Sequence, residues 1–428
     1  MKDKIISNQE VKGTKDWLPE EMNIRKYIFD KWRQVCLSYG FVEYLTPILE
    51  NADIYRAKSG EDIGGKELMV FVDQAGRELA IRPEMTPSVV RMVSKIYNTS
   101  PKPLKLFSIA NFVRNEKPQR GRNREFWQLN CDIFGDNNFL SELEILQMSL
   151  DLVLAFNPPK NSFTLKLNHR GLINYLFDSI KLGDDQKILV MRLMDKYSKM
   201  TGDELISKME GLGLNNEQID KVLKFITVSS LEELIKNNPE VEETSAFKLL
   251  SEIIAKLKKL GYGEYVKFSP EVIRGFDYYD GLVFELFDNH EDNNRAMFGG
   301  GRYNGLANIF GGESFSAIGF APGDETFKLF LESWNILPEI SVKSEIYYLP
   351  ILSESLEEDV LFLSNNLRKE GKFVEISFNA IKMSKALEYA DKNKIGYVIV
   401  LGEDEFKKGE YKIKNMKTGT EEVFKFIK

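Results

Sequence analysis

Five cations crowd one short stretch of this chain. Arg114, Lys117, Arg120, Arg122 and Arg124 fall within FVRNEKPQRGRNREFWQLNCDIF (residues 112–134), with Glu116 and Glu125 among them and strand-like apolar runs on both sides. The whole chain has a formal net charge of −7, so general solvation is a poor account of so basic a loop. Two β-segments holding five cations at their joint suit a clamp for polyphosphate, because guanidinium groups fork phosphate oxygens in pairs. On the returning strand Gln128 and Asp132 are four apart and share a face under a period of two. Gln128 can orient a carboxyl or carbonyl and Asp132 can take an amine, while the competing reading is a solvated hairpin.

Two further constellations lie far away in sequence. Arg82-Pro83-Glu84 with Thr86 sets a carboxylate at a helix entrance, suited to an ammonium group, although an acid there often just complements the helix dipole. The segments VIRGFDYYDGLVFE (272–285) and FGGGRYNGLANIF (298–310) combine Arg274, Tyr278, Tyr279, Arg302 and Tyr303 with three consecutive glycines. Gly299, Gly300 and Gly301 let backbone approach a ligand closely. The tyrosines could be plain sheet aromatics, but glycine on both sides and Arg274 ahead favour a ligand wall.

The elements that must position these groups follow from periodicity. Ile24, Ile28, Trp32, Val35 and Cys36 predict a helix over 20–39 that Gly40 stops, followed by a strand over 41–45. Residues 68–72 and 78–81 read as a hairpin around Gln74-Ala75-Gly76. Thr86 reads as an N-cap with Pro87 at the first helical position, ahead of Val89, Val90, Val93 and Ile96. Strands over 104–107, at Val113, over 126–129 and at Ile133 complete a largely antiparallel sheet. From 171 to 262 the pattern is nearly continuous helix, and strands resume at 266–268 and 282–287, so this block reads as an insertion into one sheet. Asp324 can cap a helix with Phe327, Phe330, Leu331 and Trp334 on one face. The last 84 residues alternate strand (346–351), helix (356–369), strand (373–378), helix (382–392) and strand (397–401), then two short strands around Thr418-Gly419: a separate small α/β domain.

Composition limits the partners. An apolar content of 43% and a charged content of 29% are ordinary for a globular chain of 428 residues, which should divide into two or three domains. The acidic balance argues against coating nucleic acid wholesale and leaves binding at local patches. Cys36 and Cys131 are too few for a disulfide framework, and His169 and His290 have no second ligand at metal spacing, so reduced thiols and no structural metal are expected. The N-terminus lacks the apolar core of a signal peptide and no run of about eighteen apolar residues occurs, which predicts a cytoplasmic, non-membrane protein.

GFVEYLTPILE (40–50), residues 113–135 of the basic segment and AIGFAPGDETFKLF (317–330) resemble the three signature motifs of class II aminoacyl-tRNA synthetases. IRGFDYYDGLVFE and GGGRYNGL resemble the two motifs of the histidine-specific family, and KGTKDWLP and LGEDEFKKGEYKIKNM are similar to its two ends. The resemblance implies an α+β fold: an antiparallel sheet flanked by helices over 1–335 with a helical insertion at 171–262, a linker at 336–344 and an anticodon-binding-like α/β domain at 345–428. It implies activation of histidine with ATP and Mg²⁺ to histidyl-adenylate, then transfer to tRNA(His) by a homodimer. By motif position Glu84, Thr86, Gln128 and Asp132 would surround histidine's amino end, with Tyr278, Tyr279 and Tyr303 near its ring. Arg114 and Arg274 would be catalytic at the α-phosphate, and Glu116, Arg122 and Thr326 would complete the ATP site. Lys117, Gln119 and Arg120 would meet the tRNA acceptor end.

Two departures stand out. The third motif usually ends in an arginine that holds the γ-phosphate, and here Thr326 takes its place; Arg122 or Mg²⁺ could compensate, whereas Lys328 lies about 200° around the helix. Lys117 stands where the family tends to have arginine. The same fold also serves as the histidine-binding regulatory subunit of ATP phosphoribosyltransferase, a reading Thr326 favours and Arg114, Arg274 and the C-terminal domain oppose. An inactive synthetase-like RNA-binding protein is a third. The C-terminal 84 residues carry 14 basic and 15 acidic side chains, so RNA binding there should rest on a few placed contacts and weaken with salt.

Overall fold

The computed structural model describes residues 7–57, 59, 62–197, 200–274, 278–293, 295–311, 313–339 and 341–427, with only the backbone of Asp62. The chain divides into two compact units, Met1–Asp16 with Arg25–Leu337 and Trp17–Ile24 with Pro338–Lys428.

The first unit contains strands β1 (Val42–Glu43), β2 (Leu49–Asn51), β3 (Met69–Val72), β4 (Glu78–Ile81), β5 (Leu104–Val113), β6 (Glu125–Phe134), β7 (Phe163–His169), β8 (Val266–Phe268), β9 (Leu282–Asp288), β10 (Ala296–Arg302) and β11 (Ala317–Phe320). Eight of them form one sheet in the order β1-β5-β6-β11-β10-β9-β7-β8, parallel at its two margins and antiparallel between them. β2, β4 and β3 form a separate antiparallel sheet, so the expected 68–72/78–81 hairpin exists but lies outside the large sheet.

The segments expected at 104–107 and at Val113 are one ten-residue strand. Ser108 interrupts the apolar pattern yet is fully buried, because both faces of this central strand are covered. The strand expected at 41–45 shortens to β1, which ends ahead of Thr46, whose carbonyl accepts from Arg82 at 2.7 Å. Helix Pro19–Ser38 buries Ile28, Phe29, Trp32 and Cys36, and Gly40 follows it at φ +76°, where a side chain would be strained. Cys36 and Cys131 are free thiols 3.6 Å apart in this core.

Among the described residues six α-helices, from Arg170–Ser179 to Ser245–Lys259, separate β7 from β8, yet the two strands pair in parallel. The helical block therefore interrupts a single sheet. Helix Phe139–Leu154, capped by the Asn138 side chain, was not singled out from sequence. It is apolar nearly all round, so no 3.6-residue stripe marks it; only the fold shows that both its flanks are buried.

The second unit holds β12 (Ile346–Leu349), β13 (Phe373–Ile376), β14 (Tyr397–Val400), β15 (Glu410–Asn415) and β16 (Glu421–Lys425) in the order β13-β12-β14-β15-β16. The first three are mutually parallel, and β15 and β16 close a hairpin with Gly419 at φ +73°. Leu349, Ile351, Ile399 and Leu401 meet Val360, Leu363 and Leu367 of helix Glu357–Lys369. Tyr348 and Val398 meet Ala386 and Ala390 of helix Met383–Lys392. Alternate residues of the same strands thus face helices on opposite sides.

Candidate active site

The floor of the site is the middle of the large sheet. Asp132 on β6 lies opposite Gly319 of β11, where any Cβ would stand 2.1 Å from the aspartate Oδ1. The glycine opens room for a carboxylate, and Tyr303 Oη donates to it. Both side chains are buried, and burial lifts the Asp132 carboxyl to about 7, against the pull of the Tyr303 hydrogen bond.

Tyr303 belongs to a three-tyrosine cluster. Its ring centroid lies 5.6 Å from that of Tyr278 and 6.3 Å from that of Tyr279, while Tyr278 and Tyr279 are 4.8 Å apart. Tyr278 Oη donates to Glu84 Oε2 at 3.1 Å. The structure corrects the capping role of Thr86: the N-cap is Met85, and Thr86 is the first helical residue. Glu84 is buried in the turn before that helix; burial raises its carboxyl, opposed by the Ser59 hydroxyl, Arg114, Tyr278 and Arg274 in that order.

Both candidate phosphate-binding arginines act on the charge of Glu84, so segments 160 residues apart converge on one carboxylate. Arg114 leaves β5, donates from Nε to Pro83 O at 3.0 Å and lies over the Phe126 ring at 4.9 Å. Arg274 has φ +67°, a conformation L-residues avoid, and Arg170 Nη2 holds its carbonyl at 2.9 Å. Its Nη1 meets Glu285 Oε1 at 3.0 Å, in a pair 17% and 23% exposed. That opening to solvent leaves the guanidinium within reach of an incoming anion.

Two readings from the glycine-rich segment change. Gly299 and Gly301 do not bare the backbone: a Cβ on Gly299 would come 2.6 Å from Arg274 Nη1, and one on Gly301 would come 2.8 Å from the Tyr279 ring. They make room for the side chains of the site. Arg302 is not part of a ligand wall, since it is buried with Nε on Glu142 at 2.7 Å and Nη2 on Ser141 Oγ at 2.8 Å. Arg82 is likewise structural, with Nε on Asn111 O at 2.9 Å. Asp324 does not cap its helix either; Gly323 is the N-cap, and Asp324 takes the Trp127 N–H at 3.0 Å and Arg25 at 2.8 Å.

The basic loop between β5 and β6 closes on itself through paired backbone bonds of Gln119 and Arg122, at 2.8 and 2.9 Å, with Gly121 at φ +73°. Lys117, Gln119 and Arg120 are exposed, and Arg122 Nη1 meets Glu116 Oε2 at 3.2 Å. Gly121 rests on helix Asp324–Ser333, where an added Cβ would be 3.7 Å from Thr326 Cγ2 and 2.9 Å from Leu329 Cδ1. Thr326 Oγ1 donates to Met297 O at 2.9 Å and Gly323 O at 3.2 Å, so its proton is spent on backbone. Lys328 points back to Glu332 at 3.4 Å. Gln128 Nε2 donates to Ala321 O at 3.3 Å, on the sheet face it shares with Asp132.

Glu285 joined the site without a sequence signal. Glu285 reads as one more polar residue of an alternating strand. Among the described residues no group of three or more His, Cys, Asp or Glu side chains could hold a metal ion, and no helix is long and apolar enough to cross a membrane.

An antiparallel sheet with arginines at a strand-loop junction, a carboxylate floor and a third-motif helix defines a class II aminoacyl-tRNA synthetase fold. The family model for histidyl-tRNA synthetase matches residues 13–324, and the model for the anticodon binding domain matches 345–427. The chain is 38% identical over 430 residues to the histidine–tRNA ligase of Leptospira biflexa, covering all of this chain and 97% of that one. It is 34% identical to that of Thermococcus kodakarensis, covering 96% and 94%. In fold it is similar to histidyl-tRNA synthetase from Nostoc sp. PCC 7120, with a TM-score of 0.82, 21% identity and coverage of 98% and 97%. It is also similar to a Bacillus halodurans protein described as an ATP phosphoribosyltransferase regulatory subunit/histidyl-tRNA synthetase, with a TM-score of 0.75, 21% identity and coverage of 90% and 97%. The chain belongs to the histidyl-tRNA synthetase family, and its function is that of a histidine–tRNA ligase.

Proposed function

We propose that Arg114 and Arg274 flank the α-phosphorus of ATP while Glu84, Asp132 and the tyrosines hold histidine for in-line attack by its carboxylate. The supporting observation is that Arg114 bonds Pro83 O beside Glu84 at 3.0 Å while Arg274 lies 5.6 Å from the Tyr279 ring in the tyrosine cluster that bonds Glu84, which is what one site for an ammonium and an adjacent phosphate requires. No protein nucleophile takes part: the substrate carboxylate attacks, pyrophosphate leaves, and catalysis is positioning plus neutralisation of charge on the five-coordinate phosphorus. Glu84, Thr86, Gln128 and Asp132 serve the amino end, and Tyr278, Tyr279 and Tyr303 the imidazole. Glu116 and Arg122 border the nucleotide, and Lys117, Gln119 and Arg120 meet the acceptor end of tRNA(His). Mg²⁺ enters with ATP, since it keeps its own waters and needs few protein oxygens beyond substrate phosphates.

Residues 1–335 would be the catalytic domain with its insertion at 171–262, joined through 336–344 to an anticodon-binding domain at 345–428. A cytoplasmic homodimer fits this assignment. Leu37, Val42, Leu45, Ile48 and Leu49 are exposed along helix Pro19–Ser38 and the two strands after it, an apolar run suited to a two-fold interface.

Histidine-dependent ATP–pyrophosphate exchange tests the reading. Arg274→Ala should lower its rate about 10²- to 10³-fold, the usual loss for one preorganised charge-stabilising donor. Histidine binding without exchange at any Mg²⁺ concentration would instead favour the regulatory reading, against which the full-length ligase relatives already weigh.

A further inference from the structure

Resting on the ATP-binding reading, the question is which cation meets the far phosphates. The helix that begins at Asp324 offers none: Thr326 is bonded to backbone and Lys328 to Glu332. Arg122 faces Glu116, Arg274 faces Glu285 and Arg302 faces Glu142, while Arg114 donates to Pro83 O and Arg124 to Glu116 O.

Arg295 differs. It stands just before β10 on the connection from β9, is exposed, and reaches across to the basic loop, where Nη2 donates to the neutral Gln119 Oε1 at 2.6 Å. Among the described residues no carboxylate pairs with it, so its charge is uncompensated. Its backbone is fastened to the same helix at both ends: Met297 O takes the Thr326 hydroxyl at 2.9 Å, while Asn293 meets Ser333 Oγ at 3.2 Å and Asp288 takes the Trp334 N–H at 2.8 Å. The loop turn rests on that helix too, through Gly121 against Thr326 and Leu329. Three elements thus meet where the helix starts, and one of them brings an unmatched guanidinium.

We infer that Arg295 binds the terminal phosphates of ATP, supplying from the β9–β10 connection the cation that position 326 lacks. A free guanidinium held by a neutral amide keeps its full attraction for a polyanion and can move to it without breaking an ion pair.

The test is binding of Mg-ATP, AMP and histidine to the full chain by calorimetry, with exchange kinetics alongside. Arg295→Ala should weaken ATP about 10- to 100-fold, the range for a lost hydrogen bond to a charged group, and leave AMP and histidine unchanged. Arg295→Lys should fall between, and Thr326→Arg added to Arg295→Ala should restore most of the ATP affinity. Unchanged ATP affinity in Arg295→Ala, or equal weakening of ATP and AMP, would overturn the inference. Absence of pyrophosphate exchange in the unaltered chain would sink the proposed function, and the ATP-to-AMP ratio would still decide for or against Arg295.

Discussion

Asp132 concentrates the conflict between stability and recognition in one carboxyl. Its value rises from 3.8 to about 7, chiefly through burial, so between those limits the folded chain binds the proton that the unfolded chain has released. Stability from this group is therefore greatest at low pH and falls as pH rises from about 4 to about 7. Recognition runs the other way, because an amine needs the ionised form. Affinity for histidine should weaken as pH drops through about 7, and calorimetric titrations across pH 5.5–8.5 on the parent and Asp132→Asn would check it, since the variant should lose that component. At pH 8 Asp132→Asn should raise the melting temperature by about 2–4 °C while histidine binding weakens but stays measurable, an outcome read by scanning and titration calorimetry. Residue types alone made Asp132, Glu84 and Tyr303 visible as candidates. They did not reveal that Tyr303 spends its proton on Asp132, because that pairing spans 171 positions.

At the scale of elements, β10 does the positioning. Its three consecutive glycines are hemmed by neighbouring backbone: a hypothetical Cβ would stand 2.7 Å from Phe284 O at Gly299, 2.2 Å from Gly319 O at Gly300 and 2.5 Å from Leu282 O at Gly301, with Arg274 and Tyr279 also crowding Gly299 and Gly301. Gly301→Ala should lower both exchange activity and the melting temperature, because Leu282 O at 2.5 Å and the Tyr279 ring at 2.8 Å both stand where the Cβ would go. Gly300→Ala should lower the melting temperature, because a backbone carbonyl in a sheet cannot shift cheaply. Thermal melts and exchange rates would read both effects, and a Gly300→Ala chain as stable as the parent would contradict the packing argument. The glycine run was legible as a place of close approach, but its partner was not. Helix Pro19–Ser38 and the C-terminal strand–helix alternation were legible because an exposed face opposes a buried one. Helix Phe139–Leu154, buried on nearly all sides, gave no such contrast.

For the whole molecule, the exposed apolar run through Leu45, itself 67% exposed, predicts a dimer. Sedimentation should give about twice the mass of one chain at micromolar concentration, and Leu45→Glu should return it to one, since a carboxylate buried in an interface costs several kcal/mol. A monomeric parent would refute the dimer. What the sequence determined by itself was the family: side-chain types at fixed spacing mark the candidate phosphate-binding arginines, and periodicity marks which segments alternate, because both are local properties. Tertiary structure alone decided which arginines are available. Arg82, Arg302, Arg274 and Arg295 look alike in one dimension, but the first two are consumed by buried partners, the third shares Glu285 at the surface, and the fourth faces only an amide. Charge availability depends on what folding brings within about 4 Å, and that distance has no counterpart along the chain.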